Sequence, residues 1–221
     1  NTWDGSVSSD WNDPNNWSLN AVPLSTNDVL IPSGTPNDPL LNSLPIANAK
    51  DLTIQSGASL EFDGGASVSL TLSGSFSNAG TLTHTGGNLY VDGNWTNTGT
   101  YTAVAGANTI VYLTAPTGTF SIETGGDAFC TLHIDSDNGG DGNAVYQTVD
   151  PITAKCDFLV SDGTLEVTNT SHTISLNNTS GTHSFTVNSD GNCVRGNGSL
   201  ILNDNGTGIT LTSNSPIYDL T

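Results

Sequence analysis

Three aspartates in one Gly-rich stretch are the residues best placed to do chemistry in this 221-residue chain. Asp135, Asp137 and Asp141 lie in Asp135-Ser136-Asp137-Asn138-Gly139-Gly140-Asp141-Gly142-Asn143. Hard cations such as calcium take carboxylate and carbonyl oxygens from turns of this kind. The Asp-x-Asp opening matches part of a calcium loop, but the distal Glu of a helix-loop-helix site is missing, and a solvated acidic loop is the competing reading. The same acids are candidates for a glycosidase pair, which needs two carboxyls about 5–9.5 Å apart. A polysaccharide lyase instead needs a cation at an enolate-like transition state and a Lys or Arg base beside it. Lys50, Lys155 and Arg195 are the whole supply. Five rungs, roughly 24 Å at ladder spacing, separate the two lysines, so the expectation is no cationic cluster. His84, His133, His172 and His183 are dispersed, with no paired Cys or His at metal spacing. No phosphate loop or Ser-His-Asp order stands out. The chain therefore reads as a non-enzyme, with calcium its one candidate cofactor.

What must position these residues is a repeat. Leu70-Thr71-Leu72-Ser73-Gly74-Ser75-Phe76-Ser77-Asn78-Ala79-Gly80-Thr81-Leu82-Thr83 returns 19 residues later as the stretch from Leu89 to Thr102, with six of fourteen positions identical. A period near twenty, made of short alternating strands broken by Gly and Asn, signals a β-solenoid. Apolar strand starts near Val29, Leu52, Leu70, Leu89, Ile110, Leu132, Phe158, Ile174, Cys193 and Ile209 predict about ten rungs. The fold class expected is all-β, a right-handed parallel β-helix with almost no helix. Stacked rungs place Asn78 over Asn97 as an amide ladder and Phe76 over Trp95 as an aromatic stack. Thr81 and Thr83 over Thr100 and Thr102 suggest a short, flat Thr ladder of the kind ice-binding solenoids use.

The same stacking places the cysteines. Cys130 lies two residues before Leu132 and Cys156 two before Phe158, so they occupy corresponding positions of adjacent rungs. That spacing falls within the roughly 4.4–6.8 Å Cα separation of a disulfide. In an oxidising compartment a Cys130–Cys156 bond is predicted, closing off the acidic insertion. Two stacked buried thiols are the alternative. Cys193 is left over, either buried or available for an intermolecular bond.

Charge narrows the partners. Three Lys or Arg against 21 Asp or Glu give a net charge of −18. Such a surface repels nucleic-acid backbones and anionic headgroups, leaving cations and neutral sugars. Eighteen of the acids are Asp, the residue that bonds backbone amides in turns. No apolar run approaches the roughly 18 residues of a membrane span, so no membrane insertion is expected. The lack of Met and of a charged-then-apolar leader reads as a processed product or an excised segment. Seven Asn-x-Ser/Thr triplets occur, and glycosylation depends on the source.

The first thirty residues differ from the rest. Trp3-Asp4-Gly5, Asp10-Trp11-Asn12, Asn15-Asn16-Trp17-Ser18 and Val22-Pro23 precede the first strand. This pattern resembles the entry segment of large secreted bacterial β-solenoid surface proteins of the adhesin type. The resemblance implies a parallel β-helix, export to the cell surface and an adhesive or structural role; it implies no particular ligand. Physically, a solenoid must close its first rung, and Trp rings with Asn and Asp turns suit such a lid. A carbohydrate-stacking Trp platform is the rival.

The expected organisation is a capping segment, 1–27, then a solenoid, 28–221, with an acidic loop insertion at 135–151. Its far end, Ile217, Tyr218 and Leu220, is apolar and strand-like. With Trp3, Trp11 and Trp17 at the other end it makes a candidate assembly interface for head-to-tail self-association, unless a larger surface protein continues the chain. The function expected is a non-catalytic extracellular structural or adhesive protein, plausibly a filament subunit; the alternative is a carbohydrate-binding module or polysaccharide-degrading enzyme on the same fold.

Overall fold

The structure, a computed structural model, describes all residues except 43–45, 66, 105–107, 179–182, 195–198, 205–208 and 214–221. Arg195, Ile217, Tyr218 and Leu220 lie outside the described residues. The chain is all-β with nearly no helix, a parallel β-solenoid of about seven turns. It divides into two units, Asn1–Thr109 and Ile110–Thr221.

In unit 1 each turn contributes a short strand to each of three walls. The first wall stacks Val29–Ile31, Leu52–Ile54, Phe76–Asn78 and Trp95–Asn97, all parallel. The second stacks Leu40–Leu41, Ser59–Asp63, the start of Thr81–Val91 and Thr100–Ala103. The third stacks Ala47–Ala49, Ser69–Leu72 and the end of Thr81–Val91. The two sequence copies lie in register throughout, Leu70 on Leu89, Phe76 on Trp95, Thr81 on Thr100.

Three walls per turn explain why about seven turns replace the ten rungs expected. Leu52 belongs to the first wall and Leu70 to the third wall of the same turn, so counting apolar runs counts some turns twice. Alternation along each strand cannot reveal this, because every wall shows the same inward-outward pattern.

The interior of unit 1 is filled by stacks. Phe76 and Trp95 have centroids 4.5 Å apart, and Trp95 meets Tyr101 edge-on at 5.2 Å. Asn78 and Asn97 are fully buried, Asn78 Nδ2 donating to Asn97 Oδ1 at 2.7 Å while Asn78 Oδ1 accepts from the Gly80 amide at 3.0 Å. His84 is also fully buried and lies flat on Phe62, 4.7 Å away at 3°. Its Nε2 faces the Gly87 carbonyl at 3.1 Å and its Nδ1 the Tyr101 hydroxyl at 3.2 Å. A carbonyl only accepts, so Nε2 carries the proton and Nδ1 accepts from Tyr101. Burial pushes the pKa of His84 down to about 4 and that of the Tyr101 phenol up. Gly87 sits at φ +96°, and a Cβ there would collide with the Phe62 ring at 2.7 Å, so this corner requires glycine.

The N-terminal segment packs inward. Trp3, Trp11 and Trp17 are all fully buried, with Trp17 edge-on to Trp3 at 5.0 Å and to Trp11 at 4.7 Å. Thr2 bridges to Leu30 and Asp10 to Leu40 in parallel, so the segment follows the first strands of unit 1. These indoles, half of the candidate assembly interface, thus pack inward in the single chain. Each buries a large apolar area, worth a few kcal/mol by the roughly 25 cal/mol per Å² scale, and that burial turns the rings inward. Asn16, one of the glycosylation triplets, is likewise fully buried, its Oδ1 accepting from the Val7 and Ser8 amides at 3.0 Å.

Unit 2 is built from Thr109–Leu113, Thr131–Asp135, Phe158–Glu166, His183–Val194 and Ile209–Ser213 in one parallel column. Thr119–Glu123 and Val145–Thr148 lead into the later halves of the two long strands. Ile152–Ala154, Thr173–Asn178 and Ser199–Asp204 make the third wall. Val145–Thr148 lies inside the stretch expected to be an inserted loop: its Tyr146 is fully buried, and the Tyr146 hydroxyl accepts from the Ala115 amide at 2.8 Å. Among the described residues no helix is long and apolar enough to cross a membrane.

Candidate functional site

The outward side of the second wall of unit 1 carries two columns of side chains, all polar but Leu40. Ser59, Thr81 and Thr100 form one; Leu40, Glu61, Thr83 and Thr102 form the other. Their inward neighbours Leu60, Leu82 and Tyr101 are buried, so alternation alone fixes which side chains face out. A groove of about 410 Å³ runs over this face, lined by Ser9, Asn37–Leu40, Ser59–Glu61, Thr81 and Thr83.

The lip of the groove is tied down. Trp3 Nε1 donates to the Asn37 carbonyl at 2.8 Å, and Asn37 Nδ2 donates to the Gly5 carbonyl at 2.7 Å. Gly5 sits at φ +56° with no room for a Cβ against the Asn37 carbonyl. The Leu40 amide donates to the Ser9 carbonyl at 2.7 Å, and the Glu61 amide to the Pro39 carbonyl at 3.1 Å. Among the described residues no hydrogen bond or ion pair engages the side chains of Asp38, Ser59, Glu61, Thr81 or Thr83. Two carboxylates and three hydroxyls are thus held on a fixed frame and left open to a ligand.

The acids singled out by sequence are placed differently. Asp135 ends its strand, and Asp137 sits at φ 62° in a short 3-10 turn, Ser136–Asn138. Among the described residues no three His, Cys, Asp or Glu side chains gather to hold a metal ion, so Asp135, Asp137 and Asp141 do not converge. The acid that holds this loop is Asp162, nearly buried, whose oxygens accept from the Gly142 and Gly163 amides, each at 2.7 Å. Asp51 and Asp150 do the same work, accepting from Ser75 N at 2.7 Å and from Gly125 N at 2.7 Å. Spacing could not reveal these roles, because Gly142, Ser75 and Gly125 each lie 20 to 25 residues from the acid they bond.

Cys130 and Cys156 are joined by a disulfide, their Cα atoms 4.9 Å apart, and the Cys156 amide donates to the Cys130 carbonyl at 2.9 Å. Cys193 is a buried free thiol, its pKa pushed up to about 11 by desolvation. Lys50 pairs with Asp28 at 3.0 Å and Asp51 at 3.4 Å. Those carboxylates raise its pKa. On unit 2, His133 Nε2 and Ser161 Oγ are 2.6 Å apart and Asn188 Nδ2 donates to the same oxygen at 3.2 Å. Ser161 is the extra residue where the register slips between Val160 and Asp162. Burial lowers the pKa of His133, against the pull of the Asp135 carboxylate.

A family model described as a domain of unknown function (DUF8693) matches residues 2–124, more than half of the chain. The chain belongs to this family. Every residue lining the groove lies within the matched span. No curated protein and no solved structure matches the chain.

Proposed function

We propose that this protein is a non-catalytic, extracellular structural or adhesive β-solenoid, similar in job to secreted bacterial surface proteins. The observation that carries the reading is the division of labour in the walls: inward positions are filled by stacked apolar and amide side chains, and the outward columns offer short polar groups in register. A molecule built this way works through its outside. The Cys130–Cys156 bond supports export to an oxidising compartment.

In this reading the solenoid is right-handed, the sense that parallel crossovers favour. The Trp3–Trp11–Trp17 cluster is a cap that shields the first strands, rather than a contact patch. A parallel solenoid leaves unpaired strand groups at any uncovered end. Head-to-tail stacking of copies into a filament covers them, as does continuation within a larger surface protein. The groove on unit 1 favours the binding half of the alternative, a carbohydrate-binding module.

Negative-stain electron microscopy of the purified chain tests the scaffold reading. Uniform fibres of solenoid width are the expected result. Monodisperse particles at every concentration, with hydrolysis of a polysaccharide, overturn it.

A further inference from the structure

We propose that the groove over Leu40, Glu61 and Thr83 is a binding site for an uncharged, hydroxyl-rich saccharide segment. The proposal rests on the adhesive half of the function above and gives it a ligand class.

The cavity, about 410 Å³, is in the size range of roughly 300–1,000 Å³ typical of small-ligand sites. Its polar lining combines two kinds of group. Hydroxyls of Ser59, Thr81 and Thr83 both donate and accept, whereas the Asp38 and Glu61 carboxylates only accept. Sugar hydroxyls, which also donate and accept, can use both kinds. An ammonium or guanidinium ligand would use the carboxylates and leave the hydroxyl donors idle. An anion is opposed by both carboxylates and by a net charge of −18. A metal ion is opposed by the absence of any three-carboxylate group among the described residues. Pro39 and Leu40 supply apolar contact for the C–H faces of a sugar ring.

The frame is preorganised, which lowers the ordering cost of binding. Asn37 is tied to both Trp3 and Gly5, and Leu40 and Glu61 are paired into the parallel wall. No aromatic ring lines the groove, so single-site affinity is weak and useful adhesion comes from many copies acting together.

Methyl-resolved NMR of the full chain tests the site, with cellohexaose, maltohexaose and the N-acetylglucosamine hexamer as neutral probes. Trigalacturonate serves as the anionic probe and hexalysine as the cationic one. At least one neutral probe is expected to shift the methyl signals of Leu40, Thr81 and Thr83, and trigalacturonate to leave them in place. Thr83→Val and Glu61→Gln should each weaken that binding about tenfold. Thr102→Val, in the same column but outside the groove, should leave it unchanged. All three variants should melt like the wild type, since the altered side chains face outward. The proposal is overturned if no neutral probe shifts these methyls, if hexalysine alone does, or if Thr102→Val weakens binding as much as Thr83→Val. Groove failure in a protein that forms fibres removes the ligand class and keeps the scaffold. Saccharide binding by a protein that never assembles does the reverse.

Discussion

The turns from Leu70 to Thr102 in unit 1 and those from Thr131 to Val194 in unit 2 solve the same stacking problem by different means. In the first region every register offset is 19 residues, and like side chains sit on like: Asn78 on Asn97, Phe76 on Trp95, Thr81 on Thr100. In the second, offsets reach 26 at Leu132↔Phe158 and 28 at Asp162↔Asp190. There the register slips at Ser161, and the corners are held by Asp162 on backbone amides and by the disulfide. Equal turns let side-chain ladders carry the stability. Unequal turns leave surplus backbone at the corners, which carboxylates and a covalent bond must hold.

The contrast is broken most directly by removing one ladder ring. Trp95→Ala takes a fully buried indole from between Phe76 and Tyr101 and should destabilise unit 1 by about 4 kcal/mol. Hydrogen exchange should show lost protection in residues 70–103 before any change in residues 131–194. Equal loss in both units would mean that the ladders are not local.

Reduction is the mirror experiment. The Cys130–Cys156 bond closes a loop with a sequence separation of 26, worth about 3.5 kcal/mol on the chain-entropy scale. Cys130→Ser with Cys156→Ser should lower the unfolding free energy of unit 2, read by denaturant titration, by that margin, and reductant should then have no further effect. An unchanged midpoint would assign the corner wholly to its hydrogen bonds.

Acid sharpens the comparison, because a fully buried histidine of this kind belongs to the ladder region. His84 has a pKa near 4 in the fold against 6.5 for the free side chain. The unfolded chain therefore binds the proton first. The stabilisation is complete above pH 6.5 and disappears as pH falls toward 4, about 3 kcal/mol in all. Denaturant unfolding of unit 1 followed by Trp fluorescence should show that slope, and His84→Leu should flatten it. A smaller effect is expected of Asp162→Asn, which keeps one acceptor for the Gly142 or Gly163 amide and should cost about 1–2 kcal/mol in unit 2.

Much of the ladder region is legible in the primary structure, because its partners repeat at one spacing. The 19-residue identity between Leu70 and Leu89 places Asn, aromatic and Thr pairs without any coordinates. The corner bonds are not legible. Asp51 meets Ser75, and Asp150 meets Thr124 and Gly125, at separations of 24 to 26 residues that no motif marks. The groove was half visible: Thr81 and Thr83 stood out as a ladder, but Asp38, Glu61 and Ser9 carry no local signal. They meet because the N-terminal segment folds back along Leu40.

Composition and period by themselves determined an all-β parallel solenoid, an acidic exterior and the in-register stacking of the repeated turns. Those properties follow from alternation and identical spacing, which act locally and repeat. Tertiary structure alone decided that each turn has three walls, so that about seven turns suffice. It also turned the three N-terminal Trp side chains inward and set Asp162 on the backbone amides of the acidic loop. The reason is the same in each case. Alternation says which side chains leave the core, and only closure of the coil says which of them meet.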